Sequence, residues 1–208
     1  HEGKGVMLNP VTAEFITQLQ RLLPAAAFPE LGDKYLTEPR GQYRGSAGLL
    51  VAPDSTAQVA QVITVAAAAR ISVVPYGGGT GLVGGQILPE STTGAPAPLI
   101  LSLGRMRRIR ACYPAENVLV AEAGVVLAEV QQSAADVDRL FPLSLASEGT
   151  AQIGGLLATN AGGINVLRYG MARDQVLGVE AVMADGRIFN GLQRLRKDNT
   201  GYDLRHLL

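Results

Sequence analysis

The feature that most constrains this chain is a strand, helix and strand run that ends in a cluster of glycines. "SAGLLVAP" (46–53) is a short apolar run closed by a proline. "DSTAQVAQVITVAAAARI" (54–71) places an Asp54/Ser55 cap ahead of long alanine-rich faces, the pattern of a capped helix. "SVVPY" (72–76) is a second short apolar run. Strand, helix and strand within about thirty residues make a βαβ unit, whose two strands lie parallel through a right-handed crossover. Six glycines then fall within nine positions, Gly77 to Gly85. Glycine weakens regular structure, so such a cluster survives where a left-handed backbone is required or where something approaches the main chain closely.

Around this unit, "TAEFITQLQRLL" (12–23) has apolar residues at helical spacing and stops before Pro24. "LPESTTGAPAP" (88–98) has the composition of a connecting loop and marks a seam between lobes. "PLILSLGRM" (98–106) and "NVLVAEAGVV" (117–126) read as strands, and "LAEVQQSAADVDRL" (127–140) as a helix. "QVLGVEAVMADGRIFNG" (175–191) reads as a hairpin turning at Asp185-Gly186. The expected organisation is a cloning scar over 1–6, a helical lead-in over 7–45, a first lobe over 46–103 with its glycine loop at 75–85, and a second lobe over 104–208. The closing "GYDLRHLL" (201–208) has no capping glycine or polar tail and reads as continuing into a longer protein.

Charge and cysteine content exclude several functions. Lys plus Arg and Asp plus Glu number 18 each, so the totals carry no basic surface for nucleic acid or anionic lipid. No apolar run approaches the roughly 20 residues that span a bilayer, and "HEGKGVMLNP" is no signal peptide. Cys112 is the sole cysteine, which excludes an internal disulfide, favours a reducing, cytoplasmic setting and reads as an inert packing residue. With only His1 and His206 as histidines, no zinc-type cluster is spelled and no metal is expected.

Gly79-Thr80-Gly81-Leu82-Val83-Gly84 matches the dinucleotide pattern G-x-G-x-x-G. That motif opens a helix and meets a carboxylate about 20 residues on. Here the loop runs into Gln86-Ile87-Leu88-Pro89, and "PAPLILSLG" carries no acid. A P-loop fails because no Gly-Lys-Ser/Thr follows. Leu82 and Val83 argue against a plain linker, whereas consecutive N–H groups freed of side chains form an anion-binding concavity suited to phosphate. Gly78 and Gly81 are expected where a Cβ would meet phosphate oxygens or force an unfavourable φ. A second stretch, "SEGTAQIGGLLATNAGGINVLRYG" (147–170), sets glycines among Thr150, Thr159 and Asn160, whose polar side chains can donate to phosphate or ribose oxygens. "QIGGLLATN" reads as a short helix with its N-terminus at the phosphates; Gly154 and Gly155 equally suit close packing of two elements.

"YRGSAGLLVAPDSTAQVAQVI", "VVPYGGGTGLVGG", "QIGGLLATNAGGINVLRYG", "VLGVEAVMADG" and "KDNTGYDLRHLL" together resemble the flavin-binding half of FAD-linked oxidases of the vanillyl-alcohol oxidase and para-cresol methylhydroxylase type. The likeness covers about residues 35–208 and is strongest to D-lactate, D-2-hydroxyglutarate and glycolate dehydrogenases. It implies an α+β fold in which a small N-terminal βαβ lobe and a second lobe with a mainly antiparallel sheet and flanking helices hold FAD between them. It further implies that Pro75, Tyr76, Gly77, Gly78, Gly79, Thr80, Gly81, Leu82 and Val83 wrap the pyrophosphate by backbone amides. Ser147, Gly149, Thr150, Gly154, Gly155, Thr159, Asn160, Gly162 and Gly163 form the opposite wall. Covalent members tether the ring through His or Cys, and neither occurs in 72–86 or 144–173, so FAD is expected to bind non-covalently.

The implied activity is oxidation of a D-2-hydroxy acid to a 2-oxo acid by hydride transfer to FAD, with a separate electron acceptor and a homodimer as an assembly option. The family's next motif, Gly-x-Glu-Gly-Thr-Leu-Gly, its substrate cap and the histidines it uses for metal and proton abstraction do not occur here. The catalytic base is therefore unassigned, and this stretch alone is expected to be inactive. His206 reads as a structural or surface group. Arg40, Tyr43, Arg44, Lys197, Tyr202 and Asp203 could each reach the active-site mouth or equally serve as surface charge or lobe-to-lobe pairing, and none is taken as catalytic. Glu148, beside the phosphate wall, is expected to point to solvent. Two alternatives remain: a non-catalytic flavin-binding subunit or module, and a flavin-dependent reductase of an enolpyruvyl sugar nucleotide.

Overall fold

The computed structural model describes residues 7–88 and 94–195 together with Tyr202, Arg205 and Leu207. The readings made on His1–Val6, Lys197, Asp203 and His206 lie outside the described residues. The chain divides into two compact units, His1–Leu103 with Val182–Arg187, and Gly104–Ala181 with Ile188–Leu208.

The first unit opens on α1 (Ala13–Leu22), which buries Phe15 and Leu19, four residues apart on one face. Thr12 caps it, its hydroxyl accepting from Phe15 N–H at 3.2 Å. Leu23 is already extended, as the residue before a proline prefers. There follow β1 (Leu49–Val51), α2 (Thr56–Ala68), β2 (Val73–Tyr76) and β3 (Leu99–Ser102). Ser55 caps α2 by accepting from Gln58 N–H at 3.4 Å, and Val59, Val62, Val65 and Ala66 form the buried face.

All three strands are parallel, and β3 lies between β1 and β2, with Leu50 and Val74 both opposite Ile100. The expected βαβ unit is therefore present with a third strand inserted in its middle. The loop at 88–98, read above as a seam, lies within the first unit, because the strand that follows it is the centre of that unit's sheet; the unit runs to Leu103, the end given above to the first lobe. The burial of every residue in Leu99–Ser102 is that of a strand covered on both faces. Leu50, Tyr76 and Ile100 form a core with Leu31, Tyr35, Leu36 and Ala47.

In the second unit β4 (Ile109–Tyr113) and β5 (Val118–Ala121) pair antiparallel, joined by a turn in which Asn117 is left-handed at φ +55°. β4 was not expected, because "IRACY" mixes arginine with small residues instead of alternating apolar and polar. It places Cys112 opposite Leu119 and leaves it exposed, which corrects its reading as a packing residue. The helix α3 (Leu127–Ala135) buries Leu127, Val130 and Ala134. It stops short of the expected Leu140, and the chain passes through a left-handed Asp138 at φ +57°.

Two short helices, α4 (Ile153–Ala158) and α5 (Val166–Tyr169), come next. Leu127, Leu143, Ala151, Leu156 and Ala172 form this unit's core. The hairpin of β6 (Glu180–Val182) and β7 (Ile188–Asn190) turns at Asp185-Gly186, with Gly186 at φ +86° and Met183 N–H donating to Arg187 O at 2.8 Å. Its tip belongs to the first unit, where a Cβ on Gly186 would overlap Thr64 Oγ1 of α2. The whole is an α+β fold, a βαβ-based unit followed by one with antiparallel pairs and flanking helices. Among the described residues no helix is long and apolar enough to cross a membrane.

Candidate functional site

The glycine loop leaves the sheet through Tyr76, whose ring is buried beside Tyr35 with centroids 4.7 Å apart. Tyr76 hydroxyl donates to Lys34 O at 2.7 Å, and burial holds its pKa above the ordinary phenol value. Its side chain thus belongs to the core, leaving only its backbone to the loop. Gly79 is needed twice over: its φ is +70°, and a Cβ would overlap Tyr76 Oη. Gly84, at φ +75°, would bring a Cβ to 3.2 Å from the Tyr43 ring. The left-handed positions are Gly79 and Gly84; Gly78 and Gly81 are not left-handed, which leaves a close approach of phosphate oxygens as the ground expected for glycine there.

Four carbonyls in and around this loop have donors. Tyr76 O accepts from Leu103 N–H at 3.0 Å and Gly84 O from Ile87 N–H at 3.0 Å. Gly79 O and Gly81 O both accept from Gln86 Nε2, at 3.5 and 2.8 Å. The backbone N–H groups of Gly77, Gly78, Gly79, Thr80, Gly81, Leu82 and Val83 have no acceptor among the described residues. A row of N–H groups without acceptors, two of its carbonyls held by one side chain, offers positive partial charge of the kind that binds phosphate oxygens. Hydrogen bonds to such charged acceptors contribute about 1.5–3 kcal/mol each.

A small hairpin supports this loop from within the same unit. Glu38 N–H donates to Tyr43 O at 3.1 Å, and Gly41 turns the chain at φ +69°. The buried Glu38 carboxylate accepts from Arg40 N–H at 2.9 Å and Gln42 N–H at 2.7 Å. These backbone bonds, Arg40 first, hold its pKa below the usual value against the opposing effect of burial. Arg44 pairs with Asp33 at 2.8 Å and donates to Thr37, so it is engaged on the surface. Nothing in the sequence marked Glu38 as buried.

The second glycine-rich stretch divides by use. A Cβ on Gly163 would overlap Ser144 O, and one on Gly154 would lie 2.8 Å from Ala123 Cβ, so both glycines serve close packing. Gly149 and Gly155 face open space, and at neither does a left-handed φ demand glycine. Gly162 makes only ordinary contacts, 3.5 Å from Met171 Cε and Val166 Cγ2.

The polar side chains expected to reach the ligand bond within their own stretch or to its neighbour, Thr150 and Thr159 remaining exposed. Thr150 hydroxyl donates to Ser147 O at 3.3 Å and Thr159 hydroxyl to Gly155 O at 2.9 Å. Asn160, left-handed at φ +47°, accepts from Arg173 N–H at 3.1 Å and approaches Met171 Sδ at 3.7 Å. At the start of α4, Ile153 N–H donates to Val125 O and Gly154 N–H to Ala123 O, at 2.9 and 2.8 Å. The helix therefore does not present a full set of free N–H groups. Glu148 is half-buried and accepts from Gln131 Nε2 and Ser144 Oγ, both at 3.3 Å, instead of pointing to solvent.

Glu122, buried at the end of β5, is the second unit's main charged centre. It accepts from Arg108 Nη2 at 2.8 Å, Arg108 N–H at 2.9 Å and Arg110 Nε at 3.3 Å. Burial works to raise its pKa, but the two arginines outweigh it and hold the carboxyl low. Among the described residues no group of three or more His, Cys, Asp and Glu gathers as a metal site.

Comparison with known proteins adds an independent view. The profile of the FAD binding domain family matches residues 47–191. A probable mitochondrial D-2-hydroxyglutarate dehydrogenase of Oryza sativa subsp. indica is 42% identical over 167 residues, covering 80% of this chain and 29% of the relative. The mitochondrial D-2-hydroxyglutarate dehydrogenase of Bos taurus is 38% identical over 201 residues, covering 95% and 36%. The chain thus spans about a third of the length of these curated relatives. Among solved structures, an alkyldihydroxyacetonephosphate synthase superposes with a TM-score of 0.79 at 18% identity, over 98% of this chain and 38% of the other, a likeness of fold. Both relatives are named mitochondrial, which overturns the cytoplasmic setting expected above. A lone cysteine reports the absence of an internal disulfide and does not choose between compartments.

Proposed function

The chain belongs to the FAD binding domain family, and from that premise we propose that it holds FAD non-covalently as the cofactor-binding region of a D-2-hydroxy acid dehydrogenase. The observation that carries this is the row of N–H groups from Gly77 to Val83, left without acceptors among the described residues while Gln86 holds Gly79 O and Gly81 O. Such a donor set fits a pyrophosphate. Gly149 and Gly155 fit the same reading, because a Cβ would occupy open space there and the fold itself does not call for glycine.

Within the first unit, the main chain of Pro75 to Val83 is assigned to phosphate oxygens. Within the second, Ser147, Gly149, Thr150, Gly155, Thr159 and Gly162 are assigned to the cofactor, with Gly154, Asn160 and Gly163 shaping the segment that presents them. When bound, FAD supplies the two-electron oxidising chemistry, while the chain's residues bind and orient it. The rice and cattle relatives, named for D-2-hydroxyglutarate, support a D-2-hydroxy acid as the substrate class. Reoxidation calls for a separate electron acceptor, and turnover is expected to need groups beyond this region.

Titration of the protein with FAD, followed by flavin fluorescence, tests the binding; ADP, which carries the pyrophosphate without the ring, is expected to compete. Acid precipitation of the complex is expected to leave the yellow colour in the supernatant. A protein that ignores both ligands overturns the cofactor reading, and a yellow pellet overturns non-covalent attachment. Dye reduction by the 208-residue chain with D-2-hydroxyglutarate or D-lactate would show that the catalytic groups lie within it.

A further inference from the structure

Gln86 stands just past the glycine loop, half-buried, and its side chain folds back into it. Nε2 donates to Gly81 O at 2.8 Å and makes a longer reach to Gly79 O at 3.5 Å, so one amide draws two carbonyls toward itself. Among the described residues no peptide bond is cis. In a trans peptide the carbonyl and the following N–H point in opposite directions. Gly79 O turned toward Gln86 therefore turns Thr80 N–H away from it, and Gly81 O does the same for Leu82 N–H. Gly81 fits around this contact, since a Cβ there would lie 2.9 Å from Gln86 Oε1.

We propose that Gln86 is a positioning residue for the cofactor's pyrophosphate, aiming Thr80 and Leu82 N–H before the ligand arrives and never touching it. The proposal rests on the FAD reading above. The chemistry asks for an amide: its one nitrogen carries two hydrogens, enough for both carbonyls. Methionine matches the length without donating, and glutamate would set oxygen against oxygen. A glycine-rich loop without this clamp has more conformational freedom to lose on binding, which lowers affinity without removing any contact to the ligand.

The test compares the wild-type chain with Gln86→Met and Gln86→Ala, titrating each with FAD and with ADP and recording its thermal unfolding. Both variants are expected to weaken FAD and ADP by the same factor, about tenfold, with the unfolding midpoint unchanged. Equal FAD affinity in wild type and Gln86→Met would overturn the positioning role while the FAD reading stands. Weakened binding accompanied by a large fall in the unfolding midpoint would also overturn it, in favour of a general structural role. A wild-type chain that binds neither ligand overturns the cofactor reading and this proposal with it.

Discussion

The two glycine-rich stretches look alike in composition and differ in what their glycines do. In the first, Gly79 and Gly84 supply left-handed turns, Gln86 holds Gly79 O and Gly81 O, and the N–H groups of Gly77 to Val83 have no acceptor among the described residues. In the second, Gly154 and Gly163 let the chain press against Ala123 and Ser144, while Gly149 and Gly155 have open space beside them. A glycine thus marks backbone geometry, close packing or room for a ligand, and only its surroundings tell which. Under the proposed reading, the first stretch would bind through what its main chain leaves unsatisfied and the second through surface that its packing glycines bring into position.

The largest expected effect comes from treating a packing glycine as if it were a ligand glycine. In Gly163→Ala the new Cβ overlaps Ser144 O and lies 3.0 Å from Ser144 C, both main-chain atoms that cannot swing aside. A loss of about 3 kcal/mol is expected, read by urea unfolding. A loss under about 0.5 kcal/mol, the scale of a neutral surface change, would erase the distinction between Gly163 and its open neighbours.

That distinction was beyond the sequence for a physical reason. The spacing of Phe15 and Leu19, the Ser55 cap and the Asp185-Gly186 turn are local signals, and each produced the expected element. The place of β3 between β1 and β2 is a pairing decision made by residues some fifty and some twenty-five positions away, and no local pattern encodes it. β4 likewise becomes a strand beside β5, with its Arg110 and the preceding Arg108 resting on the Glu122 carboxylate. The glycine runs were legible as a place where backbone is exposed. Which N–H groups stay free, and that Asn160 is held by Arg173 thirteen residues on, are set by tertiary placement and not by local pattern.

Gly155→Ala sharpens the comparison from the other side. Gly155 lies inside α4 with nothing within 4 Å of a new Cβ. Replacing glycine by alanine within a helix is expected to stabilise the protein by about 0.5–1 kcal/mol. The same methyl would stand where the cofactor is proposed to lie, so FAD affinity is expected to fall about tenfold. Unfolding and flavin titration on one sample check both signs. Unchanged affinity would return Gly155 to the packing class and confine the binding role of this stretch to its other members.

The smallest expected effect concerns the carboxylates that steady each region. Glu38 holds the hairpin whose Tyr43 backs Gly84, and its partners are backbone N–H groups. Glu122 precedes the turn at Ala123 on which Gly154 packs, and its partners are the guanidinium groups of Arg108 and Arg110 and the Arg108 N–H. Both have folded pKa values below the ordinary 4.5. A carboxyl lowered on folding contributes stability that is complete above its unfolded pKa and is lost as pH falls through the folded one. The unfolding midpoint is therefore expected to be flat with respect to these two groups near neutrality and to decline on acidification below about pH 4.5. Glu38→Gln and Glu122→Gln should each make that decline shallower. Salt should distinguish them, since ions screen the charge pairs of Glu122 more than the short N–H bonds of Glu38. Melting curves from neutral pH to about pH 3, at low and high salt, provide the measurement. A decline that both variants leave unchanged would mean that these carboxylates do not steady the loops, and that the two regions owe their shape to backbone geometry and packing alone.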